Sequence, residues 1–157
     1  LTDEIYTDFA VFPATARNAT SRSDRSGLEL EAGWDVSHAI TVFGSATFME
    51  SDQDGAAEIR RPQRLASLTL AWHPETRWSA SLSLDHTGEQ LDTDFGTFQD
   101  VTLDAYTLVG GQLRWQARQG VELYLRGENL LDEDYQDVFG YHTPGRGLYL
   151  GLRLRHG

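Results

Sequence analysis

From residue 146 to residue 155 leucine occupies every second position, as Leu148, Leu150, Leu152 and Leu154, with Tyr149, Gly151, Arg153 and Arg155 between them. Successive side chains of a strand point to opposite faces, so this is a strand with one aliphatic and one polar, cationic face. The same period of two recurs along the chain and predicts about eight strands: 4–12, 26–34, 40–49, 64–72, 78–86, 105–117, 121–129 and 146–155. Leu28, Leu30, Ala32 and Trp34 alternate with Glu29 and Glu31; Ala80, Leu82 and Leu84 alternate with Ser79, Ser81, Ser83 and Asp85. Val121, Leu123, Leu125 and Gly127 likewise oppose Glu122, Tyr124, Arg126 and Glu128. Gly110 and Gly111 interrupt one strand, which predicts a bulge or tight bend there. The nearest approach to a helix, "GAAEIRR" (55–61), is short and stops at Pro62.

The connections alternate in length. Residues 35–39, 73–77 and 118–120 are short, whereas 13–25, 50–63, 87–104 and 130–145 are long and rich in Asp, Gly, Ser and Thr. An up-and-down meander puts its short turns at one end and its long loops at the other, an asymmetry typical of outer-membrane barrels. Trp34, Trp72, Trp78 and Trp115 all fall beside short turns. Such a set suits a membrane-interface girdle, where an indole keeps its ring in the apolar layer and its N–H in the wet one. The same residues would also cap the core of a soluble β-sandwich or lipocalin-like barrel. The pattern alone leaves both open.

Composition narrows the classes. The chain has 157 residues, a net charge of −11 and no lysine, so all 13 basic residues are arginine. Nucleic-acid binding, which depends on phosphate neutralisation, is disfavoured. Cysteine is absent, which removes thiolate chemistry and disulfides. No window approaches the run of about 18 apolar residues of a spanning helix. Spanning strands need only about 9 to 11 residues, half of them polar, and escape that criterion. No Gly-x-Ser-x-Gly elbow, Walker loop, Gly-x-Gly-x-x-Gly run or His-Glu-x-x-His pair occurs, so no catalytic residues, cofactor or enzyme activity are expected. His38, His73, His86, His142 and His156 are scattered, and "DQDG" (52–55) with Glu58 lacks the ligand series of a calcium loop, so no metal site is expected either.

The end of the chain, "ENLLDEDYQDVFGYHTPGRGLYLGLRLR", closely resembles the C-terminal end of TonB-dependent outer-membrane receptors. The residues that carry the resemblance are Asn129, Leu130, Leu131, Asp132, Asp134, Tyr135, Gly140, Tyr141, Pro144, Gly145 and Arg146. Upstream, "NATSRSDRSGLELEAGW" (18–34) and "RRPQRLASLTLAW" (60–72) are also similar to strand starts in that family, so the likeness spans nearly the whole chain. Its physical sense is structural: Asn129 and Asp132 can hydrogen-bond local backbone where a strand stops, and Pro144-Gly145 presets the turn into the last strand. The chain departs from the family in ending "RHG", where members usually close on an aromatic residue.

The resemblance implies an all-β fold of antiparallel up-and-down transmembrane strands, about eight of the roughly 22 that such plugged barrels contain. Residues 1–157 are then the C-terminal portion of the receptor barrel, with the plug, the energy-coupling segment and the earlier strands outside them. "LTDEIYTDF" reads as neither export signal nor apolar leader, in line with that expectation. The last strand is implied to pair with the barrel's first, leaving no open edge. In this reading the leucines face lipid, while Arg153, Arg155, Glu29, Glu31, Glu122 and Glu128 face a wet interior.

The implied function is energy-coupled uptake of a scarce bulky nutrient at the cell outer membrane. The wording of residues 135–146 is most similar to the cobalamin-receptor branch, with iron-siderophore receptors next. Expected partners are the lipid bilayer, a TonB-type energy-coupling protein engaged through the absent N-terminal region, and a bulky small-molecule ligand; no nucleic acid is expected. Phe95, Phe98, Tyr135 and Tyr141 are the aromatic candidates for ligand contact in the long loops. A small complete barrel of structural or adhesive role and a soluble barrel enclosing an apolar ligand are the competing readings.

Overall fold

A computed structural model describes residues 5–8, 12–18, 23–53 and 55–155. Its backbone is all-β, with no helix among the described residues. Seven long strands form one antiparallel meander: β3 (Ser23–Ser37), β4 (Ile40–Gln53), β6 (Arg64–Trp72), β7 (Trp78–Thr87), β10 (Tyr106–Arg118), β11 (Val121–Glu128) and β12 (Gly147–Leu154). The two-residue β5 (Ala56–Ala57) adds to β4. Separate two-stranded hairpins are formed by β1 (Ile5–Asp8) with β2 (Thr15–Asn18), and by β8 (Gln90–Asp94) with β9 (Gln99–Leu103).

The alternation in the sequence becomes two continuous faces because the register aligns like with like. One cross-strand row runs Trp34, Val42, Leu70, Leu82, Gly111, Gly127 and Leu148; the next runs Ile40, Trp72, Ala80, Leu113, Leu125 and Leu150. The opposite face carries Glu31, Ser45, Ser67 and Asp85 in one row, and Gln116, Glu122 and Arg153 in another. A slip of one residue would exchange the faces, so the pattern pins the register.

Nothing among the described residues covers the apolar face. Leu150 is 80% exposed and Leu148 67%, and Leu103 in β9 is the sole buried apolar side chain among the described residues. The total accessible surface is 11713 Å², against about 7,900 Å² for a compact globular chain of this mass. A soluble barrel with the leucines enclosed is therefore not what this chain forms. Nor does the sheet close on itself among the described residues, since β3 and β12 are its two ends and are not paired with each other.

Several expectations are corrected in detail. Only Ile5–Asp8 of the strand expected at 4–12 is strand among the described residues, and it pairs with β2 rather than joining the main sheet. The long connection 87–104 contains the β8–β9 hairpin, and "GAAEIRR" forms β5 and a turn. No bulge occurs at Gly110-Gly111: they pair regularly with Ser83 and Leu82. The irregularities lie instead at Asp35/Ser37 and Gln116/Arg118, both beside short turns. Gly120 serves the second of these turns at φ 76, with the Arg155 carbonyl so close that a β-carbon would meet it at 2.5 Å.

Candidate functional site

The long connections gather at one end of the meander and are tied together there by polar contacts. Asp92 of β8 has no exposed surface. Its Oδ1 accepts the Arg60 Nε–H and the Thr93 N–H, both at 2.8 Å, and its Oδ2 accepts the Phe139 N–H at 2.8 Å. Burial alone would raise this carboxyl's pKa, but the Phe139 and Thr93 amides and the Arg60 guanidinium together hold it below the ordinary value. Arg60, at φ 56, also donates its backbone N–H to Leu91 O at 2.7 Å. Gln90 donates to Asp137 O at 3.2 Å, and the Tyr106 hydroxyl donates to the Asp137 carboxylate in a short hydrogen bond. The turn of the hairpin is fixed by Asp94, whose carboxylate accepts the Thr97 hydroxyl and the Gly96 N–H, each at 2.8 Å. Those two donors keep Asp94 ionised to lower pH than usual.

A cavity of about 480 Å³ opens between the start of β10 and the β11–β12 connection, walled by Leu103, Asp104, Tyr106, Glu133, Tyr135 and Phe139 among others. The aromatic candidates have different fates around it. Tyr135 packs on Tyr106, with ring centroids 4.4 Å apart, and so forms part of the cavity wall. Phe95 lies under the Arg60 guanidinium at 5.7 Å. Phe98 and Tyr141 are 80% and 70% exposed. The structure does not bring these four rings onto one surface patch by any contact among them.

The residues of the C-terminal motif form a compact knot. Asn129, at φ 46 and nearly buried, donates through Nδ2 to Glu133 O at 2.9 Å and Pro144 O at 3.4 Å, and accepts the Glu133 N–H at 2.9 Å. Asp132 accepts the Arg146 N–H at 2.9 Å, and its other oxygen stands 3.4 Å from the Arg146 guanidinium. Gly145 passes so close that a β-carbon would meet Asp132 Oδ1 at 3.2 Å. Leu130 donates its N–H to Val109 O at 2.8 Å. Gly140, at φ 80, takes the left-handed backbone at the turn before Tyr141.

The four tryptophans lie on the apolar face at the short-turn end, in three successive rows: Trp34, then Trp72, then Trp78 paired with Trp115. The rings of the last two stack at 5.8 Å. This stagger of one row at a time is what tilted barrel strands require if the indoles are to share one height.

A family model described as "TonB dependent receptor-like, beta-barrel" matches residues 1–130. The chain belongs to the TonB-dependent receptors. The vitamin B12 transporter BtuB of Vibrio cholerae is 32% identical over 146 residues, which cover 87% of this chain and 22% of that protein. The receptor barrel segment thus spans about a fifth of the length of this curated relative. The pyoverdine outer membrane receptor FpvA from Pseudomonas aeruginosa PAO1, solved bound to pyoverdine, superposes with a TM-score of 0.78 at 15% identity, over 99% of this chain and 26% of its own. The ferric yersiniabactin uptake receptor FyuA from Yersinia pestis gives 0.71 at 21% identity, over 89% and 24%. At these identities the two structures establish the fold of the receptor barrel.

Sequence reasoning missed Asp92, Arg60, Asp137 and Tyr106. Asp92 is separated from Arg60 by 32 residues and from Phe139 by 47. Only the hairpin could have been found, from the turn "DFGT" set between Leu91-Asp92-Thr93 and Val101-Thr102-Leu103. Among the described residues no group of three His, Asp or Glu side chains converges as a metal site.

Proposed function

We propose that residues 1–157 are the C-terminal part of an outer-membrane receptor barrel whose whole protein takes up a scarce bulky nutrient by energy-coupled transport, with a corrinoid as the favoured ligand. The observation that carries the ligand preference is the 32% identity to a vitamin B12 transporter over most of the chain. The membrane reading is supported by a continuous exposed apolar face, the two-sided strands and the staggered tryptophans, which act as the interfacial girdle. The opposite face, with Glu29, Glu31, Arg114, Arg126 and Arg153, lines the wet interior, where ionised groups stay hydrated.

The plug and the segment that engages the TonB-type coupling protein belong to the remainder of the polypeptide. The C-terminal motif from Asn129 to Arg146 acts as scaffold, fastening the last long connection to β12. Phe98 and Tyr141 are the aromatic rings free to stack on a ligand, whereas Tyr135 and Phe95 act through the loop packing they already make.

The test is uptake of radiolabelled cyanocobalamin by cells that carry the intact receptor and lack any other cobalamin receptor. Uptake that stops when the proton-motive force is dissipated supports the reading. Uptake of a ferric siderophore in place of cyanocobalamin moves the ligand to iron carriers, a class represented among the structural neighbours. Transport of neither overturns the proposal.

A further inference from the structure

Asp92 is the only carboxylate without exposed surface among the described residues, and it lies outside the membrane-facing sheet. Its three donors come from three separate long connections. Arg60 belongs to the connection before β6, Thr93 to the β8–β9 hairpin between β7 and β10, and Phe139 to the connection between β11 and β12.

We propose that Asp92 is a positioning residue that joins these three connections into one body, so that they open and close together. The reason lies in what a buried carboxylate requires. It only accepts hydrogen bonds, and bonds to its ionised form are stronger than neutral ones. Losing one donor leaves charge buried without compensation, which is strongly unfavourable. Neither the Arg60 segment nor the Phe139 segment can therefore leave alone without taking a donor from the buried carboxylate, and movement of the hairpin, which carries Asp92 and Thr93, hydrates the carboxylate and frees all three at once.

The surrounding contacts support the same unit. Arg60 adopts a left-handed backbone that side-chain-bearing residues rarely take, and in it the N–H reaches Leu91 O while the guanidinium reaches Asp92. The same guanidinium covers Phe95. Gln90 and Asp137 form a second bridge from hairpin to last connection, and Tyr106 ties Asp137 to the first residue of β10. Because Phe139 also walls the 480 Å³ cavity, the cavity's shape is set partly by a residue that does not line it. The inference goes beyond the uptake reading and stands on loop geometry alone.

The test is hydrogen–deuterium exchange on the intact receptor in detergent, without any ligand, comparing wild type with Asp92→Asn and Arg60→Gln. Asp92→Asn keeps the shape but loses the charge and sets an amide N–H₂ against a donor. We expect exchange at Arg60, Thr93 and Phe139 to accelerate together, by about tenfold to about a hundredfold, the range for hydrogen bonds to charged groups. Amides in β11, such as Tyr124 and Leu125, should be unchanged. Arg60→Gln leaves Asp92 intact and should also expose the Phe139 amide; it decides the matter if Asp92→Asn does not assemble. A rise confined to the hairpin, or an unaltered Phe139 in the variants that assemble, overturns the proposal. Since no ligand is involved, failure here is distinct from failure of the uptake assay.

Discussion

The side chain of Leu130 fills the space over Gly127 that a β-carbon there would need, with Cδ2 inside contact distance of that position. Gly127 pairs with Gly111 across β10 and β11, and the two glycines make a notch in the apolar face into which Leu130 folds back. The Leu130 N–H to Val109 O bond holds it there. Gly127 has no left-handed backbone to confound a substitution. We expect Gly127→Val to displace Leu130 and cost about 1–3 kcal/mol, as overpacking does. At Gly111 the nearest atoms to an added β-carbon are at ordinary contact, 3.5 and 3.6 Å, so Gly111→Ala should be nearly neutral. The urea midpoint of the heat-modifiable folded band separates the two.

With the tryptophans as the proposed interfacial girdle, their stagger gives an expected position for the bilayer on the last strand. Trp34, Trp72 and Trp78–Trp115 step one row at a time toward the end of β12, so the interface at β12 is expected near Leu154, with Leu152 close inside it. Leu150, 80% exposed, then lies nearer mid-bilayer. Leu150→Arg should cost the most, about 2–4 kcal/mol, with Leu152→Arg costing less, because the penalty falls toward the interface. Arg153→Leu, on the opposite face, loses only the ion pair to Glu122 at 3.0 Å and should assemble nearly as wild type. Assembly into lipid vesicles at graded urea gives the order.

What the sequence made legible is what depends on short-range alternation. The leucines of β12, the serines of β7, the short turns and the tryptophans beside them are each visible within a few residues, and the structure keeps them on the expected faces. At Gly110-Gly111 the sequence predicts a bulge or tight bend, whereas the strand pairs regularly and Gly111 leaves room for Leu130, which arrives from beyond the next strand. Asp92 was invisible for a similar reason: nothing local distinguishes a buried aspartate from a solvated one when its donors come from distant loops. The first strand was misplaced because alternation in residues 4–12 says nothing of which neighbour it pairs with. In the candidate site, Tyr135 was found as an aromatic loop residue, but its packing on Tyr106 was not.

Acid should loosen the loop cluster before the sheet. The Asp92 carboxyl is held below its ordinary value in the folded protein, so its contribution is fully present above the unfolded pKa of about 3.9 and is lost as the pH falls through the lower folded value. Pepsin, which works in this range, reports it. Cleavage within residues 130–146 should be slow above the ordinary carboxylate value and accelerate as the pH is stepped down below it, with β10–β12 still protected. In Asp92→Asn the acid-dependent step should vanish, and cleavage should be rapid across the same range.

Asn129 provides the last contrast, between a neutral amide and a carboxylate of the same shape. Its Nδ2 donates to two carbonyls, those of Glu133 and Pro144, while its Oδ1 accepts the Glu133 N–H. Asn129→Ala removes all three bonds and leaves the Glu133 amide without its side-chain partner, so we expect a loss of about 1–3 kcal/mol. Asn129→Asp keeps the acceptor but sets a nearly buried negative charge against two carbonyl oxygens. Its folded pKa is therefore raised, and its destabilisation is full at high pH and shrinks as protonation restores one donor. Relative to wild type, Asn129→Asp should recover as the pH is lowered from about 8 to about 4, whereas Asn129→Ala should not. Urea midpoints at the two pH values check this, and equal deficits at both would show that the amide's donors do not hold the knot.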